Sequence, residues 1–309
     1  MEFRRLGKTN IKVGVIGLGT EYIWHEPLKK VEEVILEAIE SGVNYIDIFM
    51  GSPDVRDSLG IVLKKSRKEI LIAGHLGCID IEGQYAKTRE VKTSLKFIND
   101  FYKRLQTDYI DILFLHNINE ENEFEEAFRK GGILDLALGL KKEGRAGFIG
   151  FSSHKVPVSL KALRSGYIEV LMFPINPAFD ILPGNIDHEE LPDDRNGELI
   201  TADGRDKDRT LLYQECQQRD IGFVAMKPYG AGRIFSLLNN TSDASERSKV
   251  VLQCLNYALT RPGVSTVIPG CKNASEVRSA LRYLEASDIE KDHSFLIKNL
   301  DLDLKGKCM

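Results

Sequence analysis

Long apolar runs are missing from this chain of 309 residues. None approaches the roughly 18–20 residues of a bilayer span, which excludes a helical membrane protein. The opening residues Met1-Glu2-Phe3-Arg4-Arg5-Leu6 lack the apolar stretch of a secretory signal. Cysteine is scarce: Cys78, Cys216, Cys254, Cys271 and Cys308 are odd in number, widely spaced and without any paired metal spacing. They read as reduced thiols in a cytoplasmic protein. A strong charge imbalance is absent as well, and a formal net charge of −4 argues against nucleic acid as a partner. No linker or shift in composition divides the chain, so 1–309 reads as one domain acting on a small molecule, as a monomer or small homo-oligomer.

What is present is a core-sized apolar fraction of 42% and a regular alternation of patterns. Residues 3–14 read as a hairpin turning at Gly7. Eight short strand-like runs follow, at 15–20, 45–49, 69–74, 109–117, 147–152, 170–175, 222–226 and 266–268. Between and after them lie segments of helical period at 31–39, 54–65, 88–105, 124–142, 157–166, 211–218, 247–259 and 275–284. Strands separated by helices mean parallel pairing through crossovers, and eight such units close into a (β/α)8 TIM barrel of the α/β class. A doubly wound open sheet in two subdomains is the alternative. The segment 178–208, after the sixth strand, is longer than such connections usually are. Between 187 and 208 it carries nine acidic and three basic residues. It reads as a solvated loop or as a lid over the barrel mouth; its carboxylates do not follow a calcium-loop spacing, and no metal is expected.

In such a barrel the chemistry sits at the carboxyl ends of the strands. Those ends carry Asp47, His75 and His116 on strands two, three and four, which are neighbours. Strand five ends in Ser152-Ser153-His154, strand six at Asn176, strand seven at Lys227 and strand eight at Gly270-Cys271. A lone histidine is more often a satisfied core residue than a functional one. Three ionisable groups on three consecutive strand ends point to a shared pocket. Gly14-Val15-Ile16-Gly17-Leu18-Gly19 looks like a dinucleotide fingerprint, but no helix opens after Gly19 and the context test fails. These small residues are expected to let the first strand end approach a neighbour or a ligand.

At this point the chain resembles the aldo-keto reductases along its whole length. The resemblance rests on Phe3-Arg-Arg-Leu-Gly-Lys-Thr-Asn-Ile-Lys-Val13, Ile16-Gly-Leu-Gly-Thr20, Gly42-Val-Asn-Tyr-Ile-Asp47 and Thr107-Asp-Tyr-Ile-Asp-Ile-Leu-Phe-Leu-His116. Gly147-Phe-Ile-Gly-Phe-Ser152 and Arg261-Pro-Gly-Val-Ser-Thr-Val-Ile-Pro-Gly270 complete it, in the family's order. The resemblance implies that the opening hairpin closes the barrel floor. It also implies an extended NAD(P)H across the strand ends, and hydride transfer to a carbonyl. Its catalytic set is an aspartate, a tyrosine, a lysine and a histidine, of which Asp47 and His116 match. Ser52 stands where the tyrosine belongs, and no tyrosine occurs from Ile46 to Gln84; His75 stands in place of the lysine. The two losses are coherent, because the lysine eases ionisation of a phenol with an ordinary pKa of ~10. An imidazole, ordinarily near ~6.5, is the best acid left. The expectation is that His116 or His75 moves the proton and that Asp47 sets its tautomer.

The resemblance likewise implies the cofactor positions. Gly19 and Thr20 lie at the first strand end, Ser152, Ser153 and Asn176 face the nicotinamide amide, and Met226 replaces the aromatic that stacks on it. Lys227, Pro228, Gly230, Gly232 and Arg233 are suited to a pyrophosphate. Gly270, Cys271, Lys272 and Glu276 lie where the 2′-phosphate of NADP would be gripped. Lys272 and Arg278 could compensate for missing cations, but a carboxylate at Glu276 leans the choice toward NAD. The functional reading is an NAD(P)-dependent oxidoreductase of a small carbonyl, alcohol or sugar-like substrate. The alternative is a barrel without redox chemistry, an isomerase or lyase using the histidines, or a silent ligand-binding relative.

Overall fold

In the computed structural model, which describes residues 1–180, 184–185, 207–237, 244–294 and 296–298, the chain opens with the expected hairpin. Strand β1 (Phe3–Arg5) pairs antiparallel with β2 (Lys12–Gly14), Phe3 opposite Gly14. Its Leu6 and Val13 join the cluster of side chains inside the barrel and close the floor.

The repeat then runs β3 (Leu18–Gly19), α1 (Leu28–Glu40), β4 (Tyr45–Ile48), α2 (Pro53–Leu63) and β5 (Leu71–Leu76). A second hairpin intervenes, β6 (Cys78–Ile81) and β7 (Gln84–Lys87), before α3 (Val91–Arg104) and β8 (Ile110–Leu115). Next come α4 (Glu121–Phe128), α5 (Ile133–Lys142), β9 (Ala146–Ser152), α6 (Val156–Arg164) and β10 (Val170–Pro174). The last third holds α7 (Lys207–Gln218), β11 (Gly222–Met226), α8 (Arg233–Leu237), α9 (Ala244–Leu259), β12 (Val264–Ile268), α10 (Ala274–Leu281) and α11 (Asp288–Lys291).

The parallel strands lie in the order β12-β11-β10-β9-β8-β5-β4-β3. The two edges meet: Ile16 bridges Val267 and Gly19 bridges Gly270. Gly17 N donates to Val267 O at 2.9 Å and Gly19 N to Pro269 O at 3.0 Å. The structure is the expected (β/α)8 barrel. The small residues of 14–19 serve this seam, since a Cβ on Gly17 would stand 3.0 Å from Ile268 and 3.1 Å from Tyr45.

Side chains alternate in and out along each strand. Tyr45, Ala73, Ile112, Phe114, Val170, Met172, Val224 and Ile268 point inward and fill the barrel. A larger apolar layer between strands and helices holds the complementary set. One step above the inward-facing residues, the same parity delivers Asp47, His75 and His116 to the mouth.

Three local departures have physical causes. The single helix expected over 124–142 is two, because the chain turns at Gly131 (φ 74) and Gly132. A Cβ on Gly132 would sit 2.6 Å from Ala127 O. The third barrel strand runs past residue 74 and includes His75. The β6–β7 hairpin was not expected; Glu82 (φ 53) and Gly83 (φ 80) form a two-residue turn with both φ positive, which suits the twist of a hairpin. Most of the acidic segment 178–208, read from sequence as a solvated loop or a lid, lies outside the described residues. The four described cysteines are buried and unbridged. Among the described residues no helix is long and apolar enough to cross a membrane.

Gly150 is a tight point beneath the mouth: a Cβ there would stand 2.3 Å from the Phe114 ring. Gly150→Ala is expected to destabilise the fold by about 1–3 kcal/mol through overpacking. Gly139→Ala, inside α5 with open space around it, should be neutral or stabilising by up to about 1 kcal/mol. Urea unfolding of the two variants checks the opposite signs.

Candidate active site

Three strand ends converge as the sequence implied. His75 Nε2 lies 2.8 Å from Asp47 Oδ1. His75 Nδ1 lies 2.9 Å from His116 Nδ1. All three residues are buried. A fourth member completes the line: the Tyr85 hydroxyl on β7 lies 2.9 Å from His116 Nε2. Asn117 Nδ2 donates to the same hydroxyl at 3.3 Å. Aromatic faces hold the rings in place. Phe114 stacks on His75 at 5.1 Å between centroids, and Phe49 stacks on His116 at 5.7 Å.

The protonation pattern follows from the partners. A carboxylate only accepts, so His75 Nε2 carries the proton toward Asp47. With His75 in its neutral form, the lone pair on its Nδ1 accepts from His116 Nδ1–H. His116 Nε2 is left as an acceptor, and the Tyr85 hydroxyl donates to it. Burial holds His116 well below the ordinary imidazole range, and the nearby His75, Arg89, His154 and Lys87 act in the same direction. His116 is therefore neutral at physiological pH.

Two buried arginines fix the loops that carry these groups. Arg56 Nε donates to Met50 O at 2.9 Å, and its Nη1 to Phe97 O at 2.9 Å, which ties the loop after β4 to α3. Arg89 Nη2 donates to Asn117 O at 2.8 Å and pairs with Glu123 at 3.3 Å. Asn117 itself adopts φ 45, a left-handed conformation that asparagine tolerates better than most residues.

The relay opens into a cavity of about 670 Å³. Asp47, His75, Tyr85, His116 and Asn117 lie at one end. Gly19, Thr20, Ser152, Met226, Lys227, Pro228, Gly232, Gly270, Cys271, Lys272 and Glu276 line it as well. Burial pushes the Cys271 thiol up to about 12, so it is a neutral wall. Several expected contacts lie elsewhere. Ser52 is buried at the start of α2 and does not line the cavity. Asn176 is fully buried and committed to backbone: its Nδ2 donates to Lys227 O at 3.0 Å, and its Oδ1 accepts from Ala178 N and Phe179 N. Ser153 bonds Asn119 instead. Gly230 and Arg233 adjoin the cavity loop without facing in. Arg278 turns away to pair with Glu37.

Tyr85 is the residue the sequence reading passed over. It stands one position beyond the tyrosine-free stretch, on a hairpin that the strand–helix count does not contain. Its signal was there: the run Cys78-Ile-Asp-Ile-Glu-Gly-Gln-Tyr85 has a Glu-Gly turn between two strand-like halves.

The lining of this cavity offers groups of the kind a dinucleotide uses. Lys272, Arg247, Ser248, Ser275 and Ser279 are among the lining residues, the last two on α10. That is a donor set suited to phosphate. Tyr22, Met226, Tyr229 and Phe235 offer apolar area for a flat ring. Two cavity residues hold buried polar atoms without a partner, Asn117 Oδ1 and Trp24 Nε1.

Known proteins agree with the fold. An oxidoreductase of Bacillus subtilis (strain 168) named YqkF, itself uncharacterized, is 26% identical over 312 residues, covering 94% of each chain. L-galactose dehydrogenase of Arabidopsis thaliana is 27% identical over 94% of this chain and 92% of its own. The holo form of an aldo-keto reductase from Bacillus halodurans superposes with a TM-score of 0.71 at 20% identity, over 98% and 96% of the two chains. A sequence profile of the Aldo/keto reductase family matches residues 10–253, and with that span the chain belongs to this family of oxidoreductases.

Proposed function

We propose that the protein is a nicotinamide-dependent oxidoreductase of a small alcohol or carbonyl, with a sugar-like polyol or aldose as substrate class. The observation that carries this reading is the unbroken hydrogen-bonded line from Asp47 through His75 to His116, opening into a cavity with phosphate-compatible and apolar ends. A volume of about 670 Å³ suits a small ligand and part of a cofactor. The nicotinamide, when bound, exchanges a hydrogen and its electron pair with the substrate carbon. The chain's own residues handle the proton. His116 passes it and changes tautomer, His75 receives it, and Asp47 neutralises the charge that results. The relative named L-galactose dehydrogenase supports L-galactose as a first test substrate.

Among the two dinucleotides the reading favours NAD. Glu276 lines the cavity beside Lys272, whose backbone N–H donates to its carboxylate at 2.9 Å. A carboxylate repels a 2′-phosphate and accepts from a free ribose diol. Arg278, a possible counter-charge by sequence, is occupied by Glu37. The buried, unbridged thiols support a reducing, cytoplasmic setting.

Titration of the protein with NADH and NADPH, followed by fluorescence, tests the reading. Both should bind, NADH more tightly; absence of binding at submillimolar concentration overturns it. His75→Gln and His116→Gln should each lower turnover of L-galactose with NAD by roughly 10²-fold or more with little change in dinucleotide affinity. Full activity in both variants would sink the histidine relay.

The pH dependence has a fixed sign. Alcohol oxidation needs the proton-accepting form of the pair and is lost as pH falls through its ionisation. Carbonyl reduction needs the protonated form and is lost as pH rises through the same range. The charged and titratable groups facing the pair are Asp47 on β4, Lys87 on β7, and Arg89 and His154 in the flanking loops. Initial rates in both directions across pH should cross at one apparent value.

A further inference from the structure

We propose that Tyr85 is the catalytic acid–base that touches the substrate, and that it works as the outer end of a four-membered relay Asp47–His75–His116–Tyr85. This rests on the oxidoreductase reading above and adds the group that handles the substrate oxygen. The phenol absent at position 52 is thereby supplied by a neighbouring hairpin.

The placement is built rather than incidental. Tyr85 is partly exposed and lines the cavity, while every other member of the line is buried. Its ring stands edge-on to Phe49 at 6.0 Å and to His116 at 5.8 Å. The hairpin that carries it lies directly on the loop after β4. A Cβ on Gly51 would stand 2.4 Å from Ile79 C and 2.6 Å from Asp80 N. Glycine at 51 thus lets the hairpin seat next to the position where a tyrosine would otherwise be expected, and Ser52 is buried there.

The resting hydrogen-bond order gives each atom a task. As the substrate alcohol gives its proton to the Tyr85 oxygen, the tyrosine's own proton moves to His116 Nε2. The Nδ1 proton of His116 moves to His75 Nδ1. The carbon–hydrogen bond of the alcohol breaks, its electron pair leaves with the hydrogen to the oxidised nicotinamide, and the carbon–oxygen double bond forms. At the end Tyr85 is again a neutral phenol and His116 a neutral imidazole of the other tautomer. The added proton rests on His75, 2.8 Å from the Asp47 carboxylate. Carbonyl reduction runs the same transfers backwards.

Two measurements test this, one without cofactor or substrate. Nitrogen-15 spectra of the histidine-labelled, ligand-free protein at neutral pH should show His116 protonated at Nδ1 and bare at Nε2. Tyr85→Phe should move the Nε2 resonance of His116. A proton on Nε2 in the wild type would mean that Tyr85 accepts, and would overturn the relay as written. In the second, Tyr85→Phe should lower kcat for L-galactose oxidation by about 10²–10⁴-fold while NADH binding stays unchanged. A kcat near the wild-type value overturns the role of Tyr85 and leaves the oxidoreductase reading intact. Failure of the wild type to bind either dinucleotide overturns that reading instead.

Discussion

The site depends on one hydrogen bond between two imidazole nitrogens, His75 Nδ1 and His116 Nδ1, 2.9 Å apart and out of water. Two lone pairs or two N–H groups facing each other at that distance would repel, so one ring must donate and the other accept. Asp47 decides which, because its carboxylate claims the other nitrogen of His75. With His75 neutral, every remaining proton in the line then has a single place. In a low-dielectric surrounding such a fixed order is stronger than in water, and an error in it more costly. The bond in turn needs both rings held still. Phe114 does so from below His75, and Phe114 has room for its ring only because residue 150 is glycine. The barrel core and the proton path are therefore one packed object.

The barrel was legible because its signal is redundant. Eight apolar strands spaced by helical segments admit few topologies, and the two-residue alternation that fills the interior also aims Asp47, His75 and His116 upward. The details that escaped had weak or competing signals. The break at Gly131-Gly132 lies inside a continuous helical pattern, where two glycines lower helix propensity without fixing a turn. The β6–β7 hairpin sits outside the repeat, so counting strands and helices passes over it, and Tyr85 with it. Asn176 shows the opposite limit: a polar residue at a strand end reads as a ligand contact, yet its carboxamide is spent on Lys227 O and on the N–H groups of Ala178 and Phe179. Sequence places a residue at the mouth; only geometry tells whether its polar atoms are still unspent.

A histidine at position 75, where the family resemblance implies a lysine, has a chemical logic that the sequence alone only half showed. A lysine ammonium has donors and no acceptor, so it can end a hydrogen-bond chain but cannot carry a proton through it. An imidazole has one nitrogen on each side and can do both. Placing it between Asp47 and His116 turns a terminal charge into a link, and the phenol no longer has to lie within reach of a cation. It can stand at the far side of His116, which is where β7 puts Tyr85.

The surrounding charges direct the proton along that line. Lys87 and Arg89 flank His116, and although Glu123 pairs with both, their field still opposes a positive charge there. Burial opposes it more strongly. At the other end Asp47 stands beside His75 with no lysine or arginine within ion-pair distance among the described residues. A proton entering at Tyr85 is thus disfavoured on His116 and compensated on His75, so it crosses the first imidazole without resting. Removing the charge on Asp47 would take away the compensating group at the inner end, and the line would keep its geometry but lose its gradient.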